Sequence, residues 1–119
     1  MKREFRLTRS LDYKRVRRTG KSFAHPLLVL IVAPAQDKLG VRIGITTGRS
    51  VGNAVDRNRA KRRLRALLDG YLSFIQPGWD IIIVARQPIV QAPFAGVKEA
   101  LELQLKRSGL LLKAQNRTI

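Results

Sequence analysis

Residues 51–71 read VGNAVDRNRAKRRLRALLDGY. Gly52 frees the backbone to turn and Asn53 suits an N-cap. Asp56 then falls at the third helical position, a capping-box variant with Asp where Glu is usual. It also suits the positive end of the helix dipole. At about 100° per residue, Ala60, Leu64, Leu67, Leu68 and Tyr71 share one face, which calls for a sheet to pack on. Asn58, Lys61, Arg62 and Arg65 gather on the opposite side. Arg59 and Arg63 make a second basic edge, and Arg57 lies at the border of the apolar face, within a turn of Lys61.

Such a helix works against itself unless it meets an anion. The like-charged pairs Arg57/Lys61, Arg59/Arg63 and Lys61/Arg65 are each unfavourable by roughly 0.2–0.5 kcal/mol, and no Glu is interspersed to relieve them. A polyanion removes that penalty. Arginine forks onto phosphate oxygens as lysine does not, and Asn58 can donate and accept toward a sugar hydroxyl or base edge. The plain alternative is a solvated charged face.

Outward from this helix the chain reads as one mixed α+β domain. Thr8 or Ser10 is placed to cap a short basic helix to about Arg18, with Gly20 as its stop. A short strand at Lys21 to Ala24 precedes a buried apolar strand, Leu27 to Val32, ended by Pro34. Asp37 to Gly40 reads as a turn. Val41, Ile43 and Ile45 alternate with Arg42, Gly44 and Thr46, the period of a half-buried strand. Beyond the central helix, Gln76 to Trp79 is a turn and Ile81 to Ala85 a second buried strand. Phe94, Val97, Leu101 and Leu105 recur at helical spacing, and Leu110 to Leu112 return to the body. The expected order is α-β-β-β-α-β-α, an α/β sandwich with about three helices on one sheet. Residues 1–119 are expected to form a single RNA-binding domain, with 1–6 and 113–119 as flexible ends.

Charge narrows the function classes. The chain carries 24 Lys+Arg against 8 Asp+Glu, a net +16 over 119 residues. Residues 1–25 contribute +7 (nine basic, two acidic) and residues 42–65 another +7 (eight basic, one acidic), so the excess sits in two segments that a fold can place side by side. This points to nucleic acid first. The absence of cysteine removes disulfides, thiolate zinc sites and a thiol nucleophile. One histidine, His25, cannot form a histidine metal cluster and reads as a surface or strand-edge residue; Trp79 reads as a packing anchor. No metal site is expected in the chain. Residues 1–10 carry four cations and no apolar run, so no signal peptide is expected, and no stretch is long enough to span a bilayer. A cytoplasmic, soluble protein follows. A membrane-surface role would need an exposed apolar helix face, and no helix-turn-helix or zinc pattern suggests DNA. A structural RNA-binding protein, such as a ribosomal protein, explains the charge equally well.

The run Gly52-Asn53-Ala54-Val55, then Arg57-Asn58-Arg59, Lys61-Arg62 and Arg65, resembles the signature of the bacterial ribonuclease P protein family. Tyr13, Gly20, Leu27 to Val32, Arg42-Ile43-Gly44-Ile45 and Asp80 to Arg86 align in order, so the resemblance covers about Arg6 to Arg107. It implies a four-stranded sheet whose β-α-β connection through the central helix is left-handed, against the usual rule. It implies a subunit of a ribonucleoprotein endonuclease that removes the 5′ leader of precursor tRNA. Catalysis then lies with the partner RNA and the Mg2+ it holds, and the partners are that RNA and precursor tRNA, without membrane, DNA or an obligatory protein partner.

Carried onto this chain, the resemblance places Arg57, Asn58, Arg59, Lys61, Arg62 and Arg65 against RNA, with Arg49 and Asn53 in the loop before the helix. A cleft between the first helix and the sheet takes the leader, with Tyr13, Arg17, Phe5, Arg9, Phe23, Thr46 and Arg86 as its residues. For Phe5, Phe23 and Thr46, core packing is the competing reading. Arg17 stands where the family often has an aromatic residue, Gly48-Arg49-Ser50 where Ser-Lys-Lys is common, and Ala66 where Glu is frequent.

Overall fold

Ile81 to Ile83 of the last strand are wholly buried, which requires cover on both faces of the sheet. The computed structural model, which describes residues 3–36 and 40–112, supplies it. In chain order the elements are α1 (Ser10–Thr19), β1 (Lys21–Ala24), β2 (Leu28–Pro34), β3 (Val41–Thr47), α2 (Ala54–Asp69), β4 (Trp79–Ala85) and α3 (Phe94–Ser108), with short 3-10 turns between several of them. The strands form one sheet of order β1-β2-β4-β3. β1 pairs antiparallel with β2 and β2 with β4, while β3 runs parallel to β4. The expected element order holds, and α2 is the connection between the parallel pair.

The register sorts the side chains into two layers. Leu28, Leu30, Val32, Ile43, Ile81 and Ile83 face α2 and α3, meeting Ala60, Leu64, Leu68, Val97, Leu101 and Leu105. Ile31, Ala33 and Ile82 face the other way and meet Val16 of α1, with Leu7 and Tyr13. The first layer is the larger and holds most of the fully buried aliphatics, each contributing about 1.5–3 kcal/mol. The second is small, so α1 has little apolar contact to hold it.

Several boundaries differ from expectation. Neither Thr8 nor Ser10 caps α1; Arg9 is the capping residue and no side chain bonds the helix start. Gly20 ends α1 in extended conformation. Its role is close approach, because a Cβ there would lie 2.4 Å from the Val16 carbonyl oxygen and 2.8 Å from Ile31. β2 runs on to Pro34, whose missing N–H is tolerated at a strand's last position. β4 starts at Trp79, two residues early, because Asp80 pairs in register with Ala33 and Arg42. Trp79 does pack against the core. His25 sits in the β1–β2 turn, its Nδ1 accepting from the Leu27 N–H at 3.0 Å.

At the ends, Arg3–Phe5 form a 3-10 turn and Arg6 bridges to Ile43. Arg6 and Leu7 thus lie along the β3 edge, the Leu7 N–H donating to the Ile43 carbonyl at 3.0 Å. Residues 1–2, most of the 37–40 turn and the 113–119 end lie outside the described residues. Leu110 is buried and Leu111 bridges to Ile75, as expected of that return.

Candidate nucleic-acid interface

The start of α2 is fixed locally. Gly52 has φ 152°, which other residues rarely adopt, and a Cβ there would come 2.6 Å from the Asp56 carboxylate. Asn53 Oδ1 accepts from the Asp56 N–H at 2.9 Å, the expected cap. Arg57 Nη1 donates to the Gly52 carbonyl at 3.3 Å, tying that cation to the loop. Ala60, Leu64, Leu67 and Leu68 are buried and Tyr71 packs beside them. The opposite side is open. Val55, Asn58, Lys61, Arg62 and Arg65 line a shallow groove of about 380 Å³, and Arg59 and Arg49 are exposed near it in sequence.

Arg63 does not belong to that surface. Its Nη2 donates to the Ala92 carbonyl at 3.1 Å and its guanidinium lies 5.7 Å from the centre of the Phe94 ring. It docks the start of α3 on α2, so the second basic edge reduces to Arg59.

The second surface lies on the face of the sheet that α1 occupies. Tyr13 lies directly over Gly44, where a Cβ would come 2.2 Å from the phenol oxygen. Burial pushes the Tyr13 phenol up from its ordinary pKa, while the nearby Arg65 and Arg17 guanidiniums pull it down. Arg65 of α2 is thus close enough to act on Tyr13 electrostatically, and its Nε is buried without a hydrogen-bond partner. Arg17 Nη2 approaches Thr46 Oγ1 at 3.5 Å. Beyond α1 the sheet is uncovered, leaving an open groove of about 810 Å³ floored by Ala24, Val29 and Val84 and rimmed by His25, Ser50 and Arg86.

Of the expected cleft residues, the structure brings Tyr13, Arg17 and Thr46 together and puts Arg86 on the groove rim. Arg9 is exposed at the start of α1, and Phe5 is half-buried in the turn beside β3. Phe23 is a correction. It pairs with Leu30, faces the α2–α3 layer and is buried there under the Arg107 guanidinium, on the far side of the sheet from α1. Arg107 also caps the Ala24 carbonyl, and the buried Gln104 amide donates to the Phe23 carbonyl.

Sequence reasoning missed a buried ionic network of Asp12, Arg15, Arg42 and Asp80. Its one visible signal was Asp80 at the head of an otherwise apolar strand. Among the described residues no group of three or more His, Asp or Glu side chains could hold a metal ion, and Asp12 and Asp80 are both engaged by arginines. No helix among them is long and apolar enough to cross a membrane.

A mixed four-stranded sheet with one capped cationic helix and a groove on its other face defines a small α+β RNA-binding protein. The comparisons make this specific. A family model described as Ribonuclease P matches residues 1–109. The ribonuclease P protein component of Chloroflexus aurantiacus is 37% identical over 120 residues, covering 100% of this chain and 88% of the relative. That of Oceanobacillus iheyensis is 35% identical, covering 99% and 98%. The ribonuclease P protein of Staphylococcus aureus superposes with a TM-score of 0.83 at 30% identity, covering 90% of this chain and 97% of the other. That of Thermotoga maritima gives 0.76 at 28% identity, covering 86% and 96%. The chain belongs to the ribonuclease P protein family: it is a subunit of an endoribonuclease that processes tRNA.

Proposed function

We propose that α2 binds the catalytic RNA of ribonuclease P and that the groove beside α1 takes the single-stranded 5′ leader of precursor tRNA. The observation that carries this reading is the presence of two separate surfaces with exposed cations, one on a capped helix and one over an open sheet. A helix stripe suits the phosphates of a structured RNA. An open groove with an aliphatic floor and cationic rim suits a single strand, whose bases lie on the floor while its phosphates meet Arg17 and Arg86.

The chemistry belongs to the partner RNA and the Mg2+ it holds. Magnesium asks for carboxylate oxygens, and the carboxylates brought together among the described residues, Asp12 and Asp80, are engaged by arginine. The protein's contribution is binding and placement: it neutralises phosphates near the metal-bearing RNA and holds the leader. The cytoplasm, where tRNA precursors are made, is its proposed location.

Reconstitution tests the reading. Added to a bacterial ribonuclease P RNA at low magnesium and moderate salt, the protein restores cleavage of precursor tRNA. Absence of stimulation, with both components folded, sinks it. Tyr13→Ala weakens substrates with a leader and leaves mature tRNA binding unchanged; equal loss on both makes Tyr13 a core residue only.

A further inference from the structure

The most buried charge among the described residues lies outside both RNA surfaces. Asp80 in β4 has no solvent exposure. It accepts from Arg42 Nε at 3.0 Å and Arg42 Nη2 at 2.8 Å, and also from Arg15 Nη2. Arg15 Nη1 donates to the Pro34 carbonyl at 2.9 Å. Asp12 lies 3.4 Å from Arg42 Nη1 and 3.5 Å from Arg15 Nη2. Among the described residues this network joins two carboxylates and two guanidiniums. They belong to α1, β3 and β4, and Arg15 adds the end of β2.

This network supplies what the apolar contact of α1 lacks. Hydrophobic burial is non-directional, and the layer under α1 is small. A forked guanidinium has a required geometry and resists sliding. The same helix carries Tyr13 over Gly44 and Arg17 to Thr46, and Thr46 pairs in register with Val84 of the groove floor, so a shift of α1 moves the cation that stands beside the groove. We propose that Asp80, acting through Arg15, is a positioning residue that sets the placement of α1 and so the groove's affinity for a single strand. This rests on the reading of that groove as the path of the leader.

Arg15→Lys is the gentler variant, since it keeps the charge facing Asp80 but cannot reach Asp80 and Pro34 together; Asp80→Asn is the stronger one. Both are made in the full chain and checked for cooperative unfolding. The protein has no cysteine, so Leu11→Cys on α1 and Lys98→Cys on α3, both exposed, accept spin labels whose distance distribution reports where α1 sits. The expected result for Arg15→Lys is a broadened distribution and a fall of about tenfold in holoenzyme affinity for precursor with a long leader. Affinity for a precursor with a single-nucleotide leader, and for the catalytic RNA, stays unchanged. An unchanged distribution overturns the proposal. So does a broadened one with intact leader affinity, or a loss that is equal with and without leader, which marks general damage to the fold. If the unaltered protein is itself indifferent to leader length, the leader reading fails instead, and the clamp is judged on the label distances alone.

Discussion

Gly44 and Tyr13 illustrate how a residue with no side chain can position one that has. The phenol occupies the space of the missing Cβ, so Gly44→Ala must displace Tyr13 or the strand, an overpacking effect of about 1–3 kcal/mol. Denaturant unfolding of Gly44→Ala, Tyr13→Ala and the double variant tests this. The two changes should be strongly non-additive, since removing the ring removes the clash; additive losses mean the ring was never the obstacle. A second pair makes a pH prediction. Tyr71 Oη donates to Glu102 Oε2 at 3.1 Å, and this bond lowers the Glu102 pKa below its ordinary 4.5, with Lys106 assisting. A carboxylate with a depressed folded pKa adds stability above its unfolded pKa and loses it as pH falls through the folded value. Tyr71→Phe should therefore move the Glu102 titration upward by NMR and flatten the acid limb of stability. An unmoved Glu102 titration assigns the shift to Lys106 and Lys98.

At the scale of the element, α2 was legible because its determinants are local. A cap, a face and a charge stripe follow from spacings of three and four residues, and Asn53, Asp56 and the Ala60–Leu68 face all fall where the sequence places them. Arg63 was misread because its partner, the Ala92 carbonyl, is 29 positions away in the chain. For Phe23 the sequence leaves cleft and core open, because the face a strand residue takes depends on register with β2. The difference between Arg62 and Arg63 is measurable. Arg62→Ala should reduce the salt dependence of RNA binding by about one counterion and leave stability nearly unchanged. Arg63→Ala should leave the salt slope alone and lower the unfolding midpoint, because it frees α3 from α2. Equal slopes for both variants would return Arg63 to the RNA surface. Asn53→Ala should cost about 1 kcal/mol through loss of the cap, read from the same unfolding curves.

The whole molecule distributes its cations between two tasks. Arg15, Arg42, Arg63 and Arg107 bind carboxylates, carbonyls or rings within the fold, whereas Arg17, Arg62 and Arg86 are exposed around the two grooves. Composition cannot separate these groups, which is why the sequence yields the sheet, the helices and the α2 surface but not the clamp beneath α1. Strand order likewise became visible only in the structure, since β4 inserts between β2 and β3 after a crossover through α2. The exposed group leaves a protein of net charge +16 repelling itself. Two remedies act differently. Screening depends on ionic strength alone, whereas an anion held at a site stabilises by mass action in proportion to its affinity for the folded state. Tyr13 over Gly44 and Arg17 at Thr46 both stand on the edge strand β3, with the Arg65 charge acting on the same phenol, and this favours the second. Thermal unfolding in sulfate should therefore exceed that in chloride at matched ionic strength and moderate concentration by about 5 °C, roughly the effect of 1 kcal/mol in a domain of this size. Because sulfate also strengthens burial generally, the informative comparison is with Arg65→Gln. That variant should lose most of the sulfate increment while keeping the chloride one; an increment that survives the substitution means the fold responds to the bulk salt and not to an anion held at that edge.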